Sequence, residues 1–438
     1  MPLKKAHLPG SSYQKTIDYL YGMKRFDGRM GLTAIKELLS HLGEPQRAFP
    51  VVHIGGSNGK GSTSVMVASM LREAGYRVGL YTSPHLVRFN ERIRIGRREI
   101  PNRRVVELTR KIASRIESAG AGRVQPTFFE FTTALAFLYF AESDIDIAVI
   151  EVGMGGRLDA TNVVAPLVSV ITNVSREHEA VLGNGIRAVA REKAGIIRMG
   201  VPLVTASKGV ALNVLREICL KRGASLYSHG RDFGVRRNEG DFSFVGTTSH
   251  YRGLRSVLDG QHQRLNAACA IMAVELLRGR GFPVGENGVR RGLASARWPG
   301  RMEVVRRAPT VVIDCAHNPA GAMVLRNALE EFTYRRLLLV LGVMADKDIG
   351  SITSRIVPLA DRIIVTRAQT ERAATVDALR EKVARYGKPV EAVEDVAHAC
   401  EAAMSRANDG DLICIAGSIF IAGEARRFMM GGEVRGRS

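Results

Sequence analysis

Residues 50–74 constrain this chain most. Pro50–Ile54 (PVVHI) is a short apolar run that reads as a buried strand. Gly55-Gly56-Ser57-Asn58-Gly59-Lys60-Gly61-Ser62 follows, and Gly61–Ala74 then carries a helical pattern. Strand, glycine-rich turn and helix in that order is the context of a phosphate-binding loop. Glycines let backbone N–H groups turn inward, the helix N-terminus favours an anion, and a lysine meets the outer phosphates. The loop departs from GxxxxGK[ST]: Ile54 stands at the first glycine, and Gly61 separates Lys60 from the hydroxyl of Ser62. It therefore fits the usual nucleotide-switch and motor families poorly. A chance glycine-rich turn is the alternative, and the flanking strand and helix argue against it.

The same rhythm continues along the chain. Arg77–Thr82, Ile145–Val152, Val168–Thr172 and Val201–Thr205 read as strands, with helical patterns at Phe128–Ala141 and Val210–Arg222. After a β-rich interruption at Asp232–Tyr251 and a helix at Arg264–Leu277, Trp298-Pro299-Gly300 breaks the pattern. A second series of strands follows at Thr310–Cys315, Leu337–Gly342, Arg362–Thr366 and Asp411–Ala416. This predicts an α/β protein: an N-terminal P-loop domain (1–296) built on a mostly parallel sheet with helices on both faces, and a smaller Rossmann-like α/β domain (297–438). A cleft between two such domains is a natural ligand site.

Further polar clusters fall at strand ends, which face the ligand crevice in an open α/β sheet. Thr82-Ser83-Pro84-His85 offers a hydroxyl for Mg²⁺ or phosphate, although taken alone a plain turn with Pro explains it better. Glu151 ends an apolar strand and opens the glycine-rich EVGMGGRLDATN, where a carboxylate suits Mg²⁺ beside phosphates; a strand-end salt bridge is the alternative. Thr172-Asn173, Glu177-His178 and Lys193 follow.

Composition narrows the class. With 45% hydrophobic and 24% charged residues the chain is neither disordered nor fibrous, and no apolar run approaches the roughly 18 residues needed to span a bilayer. Five scattered cysteines show no CxxC pair, so buried reduced thiols and a cytoplasmic location are expected. The net charge of +20, with 50 Arg against 13 Lys, suits an anionic ligand. The densest basic block, Arg88–Arg123, is expected to be a solvated face. No recognisable nucleic-acid module is present, which leaves a nucleic-acid-binding ATPase as a minor alternative.

HIGGSNGKGS, TSPHL with FNERI, EVGMGGRLDATN, AREKAGI, WPGRME, DCAHNP and GSIFIAGE occur in this order between Met23 and Glu424. In that order they resemble the folylpolyglutamate synthase/dihydrofolate synthase family of the Mur ligase superfamily. The resemblance implies ATP as co-substrate, Mg²⁺ and a monovalent cation. It assigns Asn58, Gly59, Lys60, Gly61, Ser62, Asn266, Arg301 and Asp314 to ATP, and Ser83, Glu151 and His178 to the metal. Lys193 matches a lysine that family members carry as a carbamate, and Lys60, His178 and Lys193 form the implied catalytic set. Thr127, Phe128, Phe129, Glu130, Leu158, Asp159 and Ala160 fall where the family binds pterin, and His317 and Ser418 fall on the second domain's side of the active site. Three departures stand out: Ser57 replaces the family's usual Thr, Ser175-Arg176-Glu177-His178 replaces Gly-x-Asp-His, and Gly28–Leu32 matches the pterin-contacting stretch only loosely.

The implied reaction is ATP-dependent amide formation. A folate or dihydropteroate carboxylate is activated as an acyl phosphate, then attacked by the amine of L-glutamate. Some family members add the first glutamate, some extend the chain, and some do both. A Mur-type ligase acting on another carboxylate is the alternative within the class. A monomer acting away from membranes and nucleic acid is expected.

Overall fold

The computed structural model describes residues 12–24, 31–118, 120, 125–177, 179–258 and 260–431. His178, and residues 28–30 of the segment compared with the family's pterin-contacting stretch, lie outside the described residues. The chain forms two compact units. One comprises Met1–Val257 and Gln263–Ala296, the other Leu258–His262 and Arg297–Ser438.

Among the described residues the main sheet of the first unit has eight strands: β1 (Val51–Gly55), β2 (Val78–Tyr81), β3 (Ile93–Ile95), β4 (Arg98–Glu99), β5 (Ile147–Glu151), β6 (Pro166–Ile171), β7 (Leu203–Thr205) and β8 (Leu226–Ser228). Their order is β4-β3-β2-β5-β1-β6-β7-β8. All neighbours from β2 to β8 are parallel, and only the β2–β3–β4 edge is antiparallel. Every residue of β1, β2 and β5 is buried, as parallel strands covered on both faces require. This explains why they read as continuous apolar runs instead of alternating ones.

One core layer joins β1, β2, β3 and β5 to the helices Tyr13–Tyr21, Thr33–His41, Asn102–Ser118 and Phe128–Ala141. Helix Lys60–Glu73, buried from Gly61 to Leu71, packs closely on helix Glu286–Ser295. A Cβ at Gly292 would sit 2.5 Å from Met70 Cα, so the glycine permits this approach. The β-rich interruption is a separate antiparallel sheet of β9 (Gly234–Arg237), β10 (Phe242–Val245) and β11 (His250–Leu254).

Among the described residues the second unit has six strands: β12 (Glu303–Arg307), β13 (Thr310–Ile313), β14 (Leu337–Leu341), β15 (Arg362–Val365), β16 (Val390–Ala392) and β17 (Leu412–Ala416). Their order is β12-β13-β17-β14-β15-β16, with only β12 antiparallel. The fold is thus α/β, with a large mixed but mostly parallel sheet and a second, mostly parallel one.

Most of the basic block is the solvated face expected: Arg88, Arg97, Arg98, Arg103, Arg110, Lys111 and Arg115 are exposed, and Arg92 alone among its described basic residues is buried, at 7% exposure. The block contains the β3–β4 hairpin and a helix whose Val105, Leu108 and Ile112 are buried. Alternation of charged and apolar residues there records an amphipathic edge and helix, which charge counting alone obscures.

Candidate active site

In the first sheet the chain leaves β1 for β2 on one side, and after β5 crosses to β6 on the other. Ligands bind at such a switch point, outside the carboxyl ends of the strands. The loops after β1, β2, β5 and β6 all emerge there.

The loop after β1 is tied to the end of β6. Asn58 N donates to Asn173 Oδ1 (3.0 Å), while Asn173 Nδ2 and Thr172 Oγ1 both donate to Asn58 O (3.0 and 2.7 Å). Ser175 N donates to Ser57 Oγ (2.9 Å), so the serine that replaces threonine still serves the loop. Gly59 caps helix Lys60–Glu73 with φ 83°, and a Cβ there would overlap buried Asn266. Asn266 Nδ2 in turn donates to Gln263 Oε1 (3.0 Å). Lys60 Nζ bonds the carbonyls of Gly56 (3.0 Å) and Ser57 (3.2 Å), holding the ammonium over its own loop.

Beside the loop lies Lys193, only 2% exposed. Its Nζ donates to Gly56 O (3.0 Å) and pairs with Glu177 Oε1 (2.6 Å). Burial and the nearby charge of Lys60 bring its pKa down to about 8, against the opposing pull of Glu177. Burial pushes the Glu177 carboxyl up, but Lys193, Lys60 and hydrogen bonding outweigh it and hold the group below its ordinary value. The Glu177 pairing is a contact that sequence reasoning missed.

Glu151 ends β5 almost completely buried, and Ser83 N donates to its Oε2 (3.1 Å). A carboxylate and an adjacent serine are hard-oxygen donors of the type Mg²⁺ takes, with water and phosphate completing its shell. These residues fit that ion. Among the described residues, no three His, Cys, Asp or Glu side chains cluster as a metal cage.

An aromatic cluster adjoins them. The Arg92 guanidinium lies 5.3 Å from the centre of the Phe128 ring, and its Nε donates to His85 Nδ1 (2.8 Å). His85 Nε2 lies 3.2 Å from Tyr21 Oη. Burial and the charge of Arg92 lower the His85 pKa to about 3, so the ring is neutral and accepts from the arginine. Phe129 stacks on Tyr81, and a Cβ on Gly153 would come within 2.5 Å of its ring. Arg92 and His85 lie inside the FNERI and TSPHL strings, but nothing in those strings separates a buried guanidinium from a surface one.

Thr127 and Glu130 are occupied structurally. Thr127 N and Oγ1 donate to Glu130 Oε2 (2.8 and 2.9 Å), and Glu130 N donates back to Thr127 Oγ1 (3.3 Å). This is a capping box on helix Phe128–Ala141. Leu158 is partly exposed, while Asp159 and Ala160 are buried. The Asp159 carboxylate accepts from Met154 N (2.9 Å), Thr161 N (3.0 Å) and Thr161 Oγ1 (2.6 Å), which clamps the glycine-rich loop.

In the second unit, Asp314 follows β13 and accepts from Met302 N (2.9 Å) and Ala316 N (2.8 Å). Burial raises its pKa, against Arg301 and those amides. Met302 is left-handed (φ 48°), which turns the chain between Arg301 and Glu303. His317 Nδ1 lies 2.9 Å from Cys315 O. Ser418 is buried and caps helix Ile419–Met429 by accepting from Ile421 N (3.1 Å).

Residues 54–274 match the Mur ligase middle domain, and residues 300–419 match the Mur ligase glutamate ligase domain. The dihydrofolate synthase/folylpolyglutamate synthase of Bacillus subtilis is 35% identical over 95% of this chain and 99% of its own length. The chain belongs to the folylpolyglutamate synthase/dihydrofolate synthase family of ATP-dependent, Mur-type glutamate ligases.

Solved members of the family share the fold. The Mycobacterium tuberculosis folylpolyglutamate synthase complexed with ADP has a TM-score of 0.89 at 35% identity, covering 95% of this chain and 98% of that one. Escherichia coli FolC in complex with DHPP and ADP also reaches 0.89, at 31% identity over 97% and 99%. The Yersinia pestis bifunctional enzyme complexed with AMPPNP and Mn ion reaches 0.85, at 29% identity over 96% and 98%. Some family members are longer. The chain spans about half of a probable bifunctional folylpolyglutamate synthase/dihydropteroate synthase of Haloferax volcanii, with 38% identity over 94% of this chain.

Proposed function

We propose that this chain uses ATP to join L-glutamate to the carboxylate of a folate or dihydropteroate acceptor. The observation that carries the reading is a juxtaposition at the carboxyl end of the first sheet. A phosphate loop, the Glu151–Ser83 pair and an aromatic cluster around a buried guanidinium share the ends of β1, β2, β5 and their flanking elements.

In this reading the amides of Asn58, Gly59, Gly61 and Ser62, with Asn266 beside them, bind the nucleotide phosphates. Lys60 swings from its loop carbonyls onto the transferred phosphoryl oxygens, where a fixed positive charge contributes most. Ser83, Glu151 and His178 hold Mg²⁺. That ion, when bound, neutralises phosphate charge. A monovalent cation is a further ligand.

Phe128, Phe129, Leu158, Asp159 and Ala160 receive the flat acceptor, with Thr127 and Glu130 shaping the wall. Arg92 draws in its negative charge. The acceptor carboxylate attacks the γ-phosphorus, ADP leaves, and an acyl phosphate forms. The neutral amine of glutamate then attacks that carbonyl and inorganic phosphate departs.

Lys193 is the carbamylation position. An amine held near pKa 8 is partly neutral at physiological pH, which favours reaction with CO₂ to give a carbamate and a proton. The modification exchanges the ion pair with Glu177 for an anion near Lys60. In the second unit, Arg301 and Asp314 are assigned to the nucleotide, and His317 and Ser418 to the glutamate side of the reaction. The ligase works as a cytoplasmic monomer without nucleic acid. Among the described residues, no helix is long and apolar enough to cross a membrane.

Phosphate release from MgATP tests this reading, with dihydropteroate or tetrahydrofolate offered with and without L-glutamate and products weighed by mass spectrometry. Release that needs both substrates, with a product heavier by one glutamyl residue, is expected. ATP turnover without glutamate and stimulated by nucleic acid overturns it.

A further inference from the structure

His53 sits mid-strand in β1, fully buried, three residues ahead of the phosphate loop. An apolar residue would serve a buried parallel strand at lower desolvation cost. Its Nε2 lies 2.9 Å from Thr161 Oγ1, which lies 2.6 Å from Asp159 Oδ1. Thr161 N bonds the same Asp159 oxygen (3.0 Å), and Met154 N bonds Asp159 Oδ2 (2.9 Å).

The direction of this chain of bonds follows from a proton count. Burial raises the Asp159 pKa, against the bonds from Thr161 and the backbone amides. Met154 N and Thr161 N donate to its two oxygens, which marks the group as an acceptor here, so the one proton of the Thr161 hydroxyl is donated to Asp159. The hydroxyl lone pair must then accept, and His53 Nε2 donates to it. The lone pair on His53 Nδ1 is buried with no hydrogen-bond partner among the described residues. Burial and the charge of Arg198 keep the ring neutral, consistent with this tautomer.

We infer that His53 is a positioning residue for the acceptor: through Thr161 it fixes the Asp159 carboxylate and the loop that carries it, tying acceptor recognition to the strand that ends in the phosphate loop. The inference rests on the proposed role of Asp159 in holding the acceptor. His53 touches neither substrate in this scheme. Its influence travels along one relay of two hydrogen bonds.

The test measures KM for acceptor, KM for ATP, kcat and urea stability in the full-length ligase. Thr161→Val and His53→Leu should each raise the acceptor KM about fivefold or more and leave the ATP KM within about twofold, the scale of one lost buried hydrogen bond. Thr161→Ser, which keeps the hydroxyl, should restore wild-type acceptor KM. The double variant should be no worse than Thr161→Val alone, because both changes cut the same relay. Should His53→Leu fail to fold, the Thr161→Val and Thr161→Ser pair with His53→Gln, which keeps a donor, separates the same outcomes. Asp159→Asn serves as the reference. If it raises the acceptor KM while folded His53→Leu does not, or if the two single effects multiply, the relay is overturned and the acceptor reading stands. If Asp159→Asn leaves the acceptor KM unchanged, the acceptor reading of Asp159 falls and takes the relay with it.

Discussion

Gly59→Ala tests how the phosphate loop is built. Gly59 adopts φ 83°, in the left-handed region, where a side chain costs roughly 1–2 kcal/mol. The new Cβ would also sit 2.8 Å from Asn266 Cγ and overlap its amide oxygen. Asn266 must then swing away from Gln263 Oε1, breaking a buried 3.0 Å hydrogen bond at a cost of about 1–2 kcal/mol. The sum is about 2–4 kcal/mol. Urea unfolding should report that loss, and the MgATP KM in the phosphate-release assay should rise about tenfold or more. Asn266→Ala removes the overlapping group, so in that background Gly59→Ala should retain only the backbone cost of about 1–2 kcal/mol. Wild-type stability and ATP KM in Gly59→Ala would refute the reasoning. So would an equal cost with and without Asn266.

Three further outcomes are expected. Glu151→Gln should cut the rate of phosphate release by about a hundredfold or more and raise the Mg²⁺ concentration needed for half-maximal rate, since an amide is a poor substitute for the anionic oxygen ligand. Arg92→Met should raise the acceptor KM by about tenfold or more with little change in the ATP KM, read from initial rates at varied acceptor; Arg92→Lys should recover only part of it. Stability should fall as pH drops from 6.5 towards 3. His53 and His85 are each held neutral to about pH 3 in the fold but take a proton at ordinary values when unfolded, so the unfolded chain binds more protons in that window. The loss is at most about 1.4 kcal/mol per pH unit for each ring, and denaturant titrations of the His53→Gln variant should show a shallower acid arm than wild type.

The β-strand series and the order of the site loops were legible in the sequence because they depend on local pattern. Buried parallel strands must be apolar throughout, and a phosphate loop must place glycines between a strand and a helix. Seven spaced strings carry the family resemblance. Strand β12 escapes such a reading: EVVRR lies on the edge of its sheet, is partly exposed and carries charge, so no apolar run marks it.

The roles of individual polar groups belong to tertiary structure. The family resemblance implies substrate contacts for Thr127, Glu130 and Ser418, and the fold engages all three in helix caps. The sequence by itself determined that a glycine loop, a strand-end carboxylate and a lysine-bearing helix occur in this order. Only the folded chain decided that Asn266 stands against Gly59, that Lys193 meets Glu177 across the loop, and that Arg92 is sealed over Phe128. These pairs are set by strand order and sheet register, and a hydrogen bond or ion pair between residues far apart leaves no periodic trace in the chain.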